Sequence, residues 1–292
     1  MDENEKRAVK ALPIIMIVGV SLALLGSWGG IRLSNGLPLY ALCIGLAFVI
    51  QWIVFIPSFM NKTEKFFDLT GGITYITVAA VAVWLSGSTD FRSILIMALV
   101  MIWAARLSSF LFRRIQADGH DGRFDKIKIS FPRSLFVWTL QGLWVSFSIA
   151  AGLAAITAVD KVPFGVIGTI GLIVWLIGFG FEAVADWQKK QFRADPANKG
   201  RFIENGLWSW SRHPNYFGEI VLWLGIAIIA FPVLQGWQYV TLISPIFVYL
   251  LLTRLSGVPM LEARSDAKWG GQPDYEAYKE RTPILFPRPP SG

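Results

Sequence analysis

Long apolar runs alternate with short polar ones along almost the whole chain. Eight of them approach or exceed the roughly 20 residues that a helix needs to cross a bilayer. They lie near 11–33, 37–60, 66–86, 91–112, 134–159, 163–187, 215–235 and 237–254. The pattern predicts an all-α fold: a polytopic transmembrane helical bundle of seven to eight spans with a cytosolic C-terminal cap. The tail from 254 onwards is rich in Arg, Tyr and Pro, has little apolar periodicity, and supplies that cap. The opening MDENEKRAVK is mixed in charge and leads into an apolar run with no small-residue cleavage site. It reads as the approach to a first membrane helix rather than as a cleaved signal.

Composition agrees with this pattern. Hydrophobic residues make up 54% of the 292 and charged residues only 16%, against roughly 25% charged in a typical soluble domain. Mean hydropathy is +0.50, which excludes an ordinary soluble enzyme and a disordered chain. The one Cys, Cys43, cannot form an intrachain disulfide, and with two His, His120 and His213, no metal site is expected. The net charge of +7 has a local explanation. With eight spans, 23 of the 27 Lys and Arg fall on the side that carries both termini. The positive-inside rule then places the termini in the cytosol and makes nucleic acid an unexpected partner.

Ionisable residues inside spans are costly and point to function by default. Glu182, Asp186, Lys189 and Arg193 are spaced 4, 3 and 4 apart, so they share one helical face. Two readings stand side by side: a self-paired ladder at a helix exit, or a polar wall for an anionic ligand entering from the cytosol. In GLWSWSRHPNYFGEIVLW, residues 206–223, Asn215, Glu219 and Trp223 recur every four residues. Pro214 suits a first helical turn, which leaves Arg212 and His213 at a positive helix N-terminus. That is a natural anion site, or simply a cap. Asp68, in FFDLTGG, stands at a helix start beside Thr70, Gly71 and Gly72. Arg106 lies two turns inside its span, placed to pair with Asp68 or to reach a phosphate. GVIGTIG at 165–171 reads as helix packing, not as a dinucleotide loop, because no strand precedes it.

The run from Glu182 to Trp223, then Tyr275, Tyr278 and TPILFP, resembles the C-terminal domain of the steroid 5α-reductase family, and most of all its bacterial branch. SRHPNYFGE is also similar to sterol C14- and C7-reductases and, more distantly, to isoprenylcysteine carboxyl methyltransferases. The strong match covers about 180–290. It divides the chain into additional or divergent helices at 1–65 and a reductase-like membrane domain at 66–292 with its tail at 255–292. The resemblance implies reduction by NADPH of a carbon–carbon double bond conjugated to a ketone, in a lipophilic, steroid-like substrate that enters from the bilayer. By motif it implies cofactor contacts from Glu182, Asp186, Arg193, Arg201, Asn215, Glu219 and Trp223. Lys189, Arg212, His213 and Arg106 join them as basic or polar neighbours, and Glu262, Tyr275 and Tyr278 come from the tail, where this chain carries an insertion.

Asp68 falls at the family's acid position and Trp103 at its tyrosine position. Trp donates one N–H but no phenolic proton, so Tyr75, two turns from Asp68, is the candidate replacement. Charge that builds on the substrate carbonyl oxygen calls for a preorganised donor. Asp68 is that donor when its carboxyl carries the proton. The alternatives are a membrane methyltransferase using S-adenosylmethionine and a non-catalytic lipid-binding protein. Membrane lipid is a partner on every reading, and a bacterial inner membrane is the expected location.

Overall fold

A computed structural model describes residues 1–290. Ten α-helices are found among them: α1 (Glu3–Gly26), α2 (Leu39–Met60), α3 (Phe67–Ser86), α4 (Phe91–Asp118), α5 (Phe131–Ile156), α6 (Gly165–Ala194), α7 (Pro214–Ala230), α8 (Ser244–Leu250), α9 (Gly257–Trp269) and α10 (Pro273–Arg281). No strand occurs among the described residues, only isolated bridges such as Gly30 with Ala158. Eight helical segments are long and apolar enough to cross a membrane. The chain is an integral membrane protein by that measure.

Two expected spans are displaced. The first begins at Glu3 rather than near residue 11 and ends at Gly26 rather than near 33. The charged opening is itself helical, because Asp2 and Glu5 cap each other's backbone N–H at 2.7 and 3.1 Å. Lys6 also bonds Glu3 at 3.0 Å. Gly29, at φ +59°, lies in the turn that follows. The last span is composite: a 3₁₀ stretch at 236–243, then α8, then a π turn at 251–255. The tail is more regular than its weak periodicity predicts, since α9 and α10 occupy most of it.

The chain divides into two compact units, residues 1–168 with 229–244, and residues 169–228 with 245–292. In the first, α5 is the central helix, most of it buried among α1, α2, α3 and α4. Hydrogen bonds sort its connections to two ends. At one end Glu64 accepts from the Asp121 N–H (2.9 Å) and from Lys128 (3.1 Å), and Ser130 donates to Glu5 (2.7 Å). The N-terminus and the α2–α3 and α4–α5 links are thereby gathered together, as alternating spans require. At the other end Lys161 donates to the Ala155 and Ile156 carbonyls, and Gln235 to Asp160.

Arg92 locks this second end. Its guanidinium, on a side chain only 2% exposed, donates to the carbonyls of Ile229, Val162, Pro163 and Phe164 at 3.0, 2.6, 2.9 and 3.3 Å. In the second unit α6 and α7 meet through glycines. A Cβ on Gly218 would come 2.5 Å from Glu182 N, and one on Gly225 would come 2.6 Å from Trp175 N. Backbones at that distance exclude any side chain between them. Gly171 supplies the carbonyl that faces Gly225, so the packing expected of GVIGTIG is realised at its third glycine.

Candidate functional site

The glycine contact decides which face of α6 is covered. Gly178, Glu182 and Asp186 recur every four residues, so the stripe that touches α7 carries the two acids inward with it. Both are buried, at 2% and 6% exposure. From α7, Asn215 donates to Asp186 at 3.2 Å, and Glu219 and Trp223 are buried on the following turns. Three carboxylates and one amide thus lie within the second unit's helix pair. Further along α6, Lys189 holds its ammonium 4.2 Å above the Trp208 ring, a cation–π contact, whereas Arg193 is exposed. Arg201, in the link to α7, is exposed as well.

The start of α7 is tied to the tail. His213 Nε2 lies 2.8 Å from one Glu262 oxygen and Arg212 lies 3.1 Å from the other. The imidazole stacks on Tyr216, with 5.6 Å between centroids and 10° between planes. With Nε2 facing a carboxylate, the proton belongs on Nε2 and Nδ1 is left as an acceptor. Nδ1 is buried and has no hydrogen-bond partner among the described residues, and neither has Arg212 Nε. Burial holds the His213 pKa below the ordinary imidazole range, although Glu262 pulls it upwards. His213 is therefore neutral near pH 7. Stability follows with a definite sign. The unfolded chain binds a proton near pH 6.5 and the folded chain resists it. Folding stability is full above that value and declines as pH falls below it. A His213→Gln variant is expected to show a flatter dependence of thermal midpoint on pH between 7 and 5; an unchanged slope would refute this assignment.

Tyr275 and Tyr278 dock the tail. Tyr278 donates to the Trp208 carbonyl at 2.8 Å, and Tyr275 donates to Asp266 at 3.2 Å. Burial pushes the Tyr278 hydroxyl up; burial and then the charge of Asp266 raise Tyr275 to about 12. Both hydroxyls are thus hydrogen-bond donors at neutral pH. Beyond α10 the chain is extended and pairs with the approach to α7: Arg212 N–H donates to the Pro283 carbonyl and Arg288 N–H to that of Trp210, each at 2.9 Å.

Asp68, Tyr75, Trp103 and Arg106 belong to the first unit. Tyr75 and Trp103 meet edge to face, 5.0 Å apart at 87°, and both are buried. Asp68 is half-buried at the start of α3, and Arg106 is half-buried one turn beyond Trp103 on α4. The neighbouring glycines serve packing: a Cβ on Gly72 would meet the Ala104 carbonyl at 3.2 Å, and one on Gly71 would meet Gln141 Nε2 at 2.8 Å.

Sequence reasoning missed Trp208. Its indole N–H donates to the Ala185 carbonyl at 3.0 Å, its ring carries Lys189, and its carbonyl receives Tyr278. Nothing in a Trp-rich chain marks this one out. It also missed Gly178, Gly218 and Gly225. The signal was available, because Gly171–Gly178 and Gly218–Gly225 share a seven-residue spacing.

Residues 54–282 match the model of a family described as "Protein of unknown function (DUF1295)". The chain is 25% identical over 228 residues to "Uncharacterized protein C594.04c" of Schizosaccharomyces pombe, covering 68% of this chain and 64% of that one. It is 33% identical over 66 residues to "Probable O-methyltransferase ustE" of Ustilaginoidea virens, 23% of either chain. The chain thus spans less than two thirds of the length of these curated relatives. No solved structure matches it.

Proposed function

The chain belongs to the DUF1295 family, and we propose that it is a membrane-embedded, NADPH-dependent reductase of a carbon–carbon double bond conjugated to a ketone in a lipophilic, steroid-like molecule. The observation that carries this reading is the buried polar set of the second unit. Glu182, Asp186 and Glu219 are carboxylates withdrawn from solvent, a cost that a structure bears for function. In the same unit the buried Nδ1 of His213 and Nε of Arg212 have no hydrogen-bond partner among the described residues. Acceptors for ribose hydroxyl and carboxamide groups, an amide at Asn215 and a guanidinium donor for phosphate suit a hydroxyl-rich anionic nucleotide. The resemblance of 182–223 to the steroid 5α-reductase family, inside the matched stretch, supports the same choice.

NADPH, when bound, supplies the hydride. The chain's own residues bind, orient and keep water out. Glu182, Asp186 and Glu219 would accept hydrogen bonds from the nucleotide's donors, and Arg212 would donate to its phosphates. From the resemblance, Asp68 would hold a proton towards the substrate's carbonyl oxygen and Tyr75, packed edge to face on Trp103, would offer a second donor. Arg106 adds positive charge on the same helix as Trp103. The basic ends face the cytosol in this reading, and the lipophilic substrate arrives through lipid.

A second reading, a membrane methyltransferase using S-adenosylmethionine, is favoured by the Ustilaginoidea virens relative and by the exposure of Arg193 and Arg201. One titration separates them. Purified full-length protein is heated with NADPH, NADH or S-adenosylmethionine. At a hundredfold excess over Kd, a bound nucleotide adds about 2.7 kcal/mol, a rise on the order of 5 °C for a chain of this size. NADPH is expected to give that rise, and Asn215→Ala and Glu219→Gln to remove it. A rise with the methyl donor alone selects the methyltransferase; no rise with any of the three leaves a lipid-binding membrane protein.

A further inference from the structure

A cleft lies on the other side of α6. Gln188 and Gln191 lie on the face of α6 turned away from Glu182, Asp186 and Lys189, as their spacing along the helix requires, and Asp195 follows the end of the helix. They border a cleft of about 380 Å³ within the second unit, together with Trp187, Phe192 and Asn198. That volume is in the lower part of the roughly 300–1,000 Å³ found for small-molecule sites. Its lining is unusual for this stretch of chain. Lys189, Lys190, Arg193, Lys199 and Arg201 are all close in sequence, yet none of them lines the cleft; neutral amides, one carboxylate and two aromatic rings do.

The polar groups are held in place. Gln188 Oε1 accepts from the Leu207 N–H at 2.9 Å, Asp195 Oδ1 from the Ala197 N–H at 2.9 Å, and Asn198 Nδ2 donates to the Phe192 carbonyl at 3.0 Å. Each side chain is pinned through one polar atom and keeps another: Gln188 Nε2, Asp195 Oδ2 and Asn198 Oδ1. One donor and two acceptors are thus presented at fixed positions beside the flat apolar surfaces of Trp187 and Phe192. Hydroxyl groups both donate and accept, so they satisfy such a mixed set. A phosphate seeks cationic donors and finds none here.

We infer that this cleft binds an uncharged polyhydroxylated ring, such as a pyranose, offered either by the headgroup of a neutral glycolipid or by a free sugar. Trp187, 59% exposed, follows the apolar run of α6 directly. Trp at that place on a membrane helix sits at headgroup depth, where either source can reach it. The inference stands independently of the reductase reading.

The test uses full-length protein purified in lauryldimethylamine oxide, because maltoside detergents carry the very ring in question. The protein is placed in phosphatidylcholine nanodiscs, and its thermal midpoint is followed in three arms: added methyl-β-glucoside, nanodiscs containing glucosyl diacylglycerol, and nanodiscs containing phosphatidylglycerol. A rise in either sugar arm supports the site, and the arm in which it appears identifies the source. Gln191 and Asn205 also line the cleft, and their side chains make no hydrogen bond to the backbone, so Gln191→Ala with Asn205→Ala is expected to weaken the sugar response about tenfold. Trp187→Leu is expected to do the same, and Trp187→Phe to retain most of it. No rise in either sugar arm overturns the inference. So does a larger rise with phosphatidylglycerol, or a response that survives in both the double variant and Trp187→Leu.

Discussion

Replacing Arg92 with methionine is expected to destabilise the first unit by about 3 kcal/mol or more. A buried carbonyl left without a donor costs on the order of 1–3 kcal/mol; of the four that Arg92 serves, the bond to Ile229 is buried and the other three are partly so. Those carbonyls belong to the α5–α6 connection and to the end of α7, so the loss loosens two chain crossings at once. Lysine should not rescue the variant. Its donors radiate from a single nitrogen, whereas the guanidinium spreads its donors over a planar fork. Unfolding by titration with sodium dodecyl sulfate measures the difference. An Arg92→Met protein within about 1 kcal/mol of the parent would show that the four bonds are incidental.

Gly218→Ala is expected to be the second most damaging change, by about 2–3 kcal/mol, because one added methyl has no space to occupy. Its Cβ would lie 2.5 Å from the backbone of α6 at Glu182. Backbone cannot rotate away as a side chain can, so α6 and α7 must separate. The same substitution at Gly180 is the matched control. A Cβ there meets nothing within 4 Å, and alanine is the better helix former by roughly 0.5–1 kcal/mol. Gly180→Ala should therefore be neutral or slightly stabilising. Equal effects at the two positions would mean that the close approach does not govern stability. Separation of the helices would also move Asp186 from Asn215, so Gly218→Ala is expected to lose the response to nucleotide as well.

Much of the fold was legible in the sequence because the bilayer constrains it so strongly. Apolar length alone locates eight crossings, and the Lys and Arg asymmetry requires them to alternate. The misplaced edges have local causes. Residues 3–10 look like a soluble lead-in by hydropathy, yet a capping box and an i, i+3 pair make them helical. The 236–255 segment reads as one helix because hydropathy does not register a change from 3₁₀ to α to π turns. The candidate site was legible where residues share a face: 182, 186, 215 and 219 follow from a spacing of four. What periodicity could not convey is partnership across the chain. Glu262 stands 49 residues from His213, and nothing in either neighbourhood announces the bond. Trp208 was hidden among twelve other tryptophans.

The antiparallel pairing of 283–288 with 210–212 also bears on the order in which the protein can mature. The helices α1–α5 are adjacent in sequence and can associate soon after each emerges from the ribosome. The turn before α7 has to wait some seventy residues for the extended segment it bonds to be translated. Until then Arg212 and His213 lack the backbone support they have in the finished protein. The second unit consequently depends on the synthesis of residues 283–288, whereas the first needs nothing beyond residues 229–244.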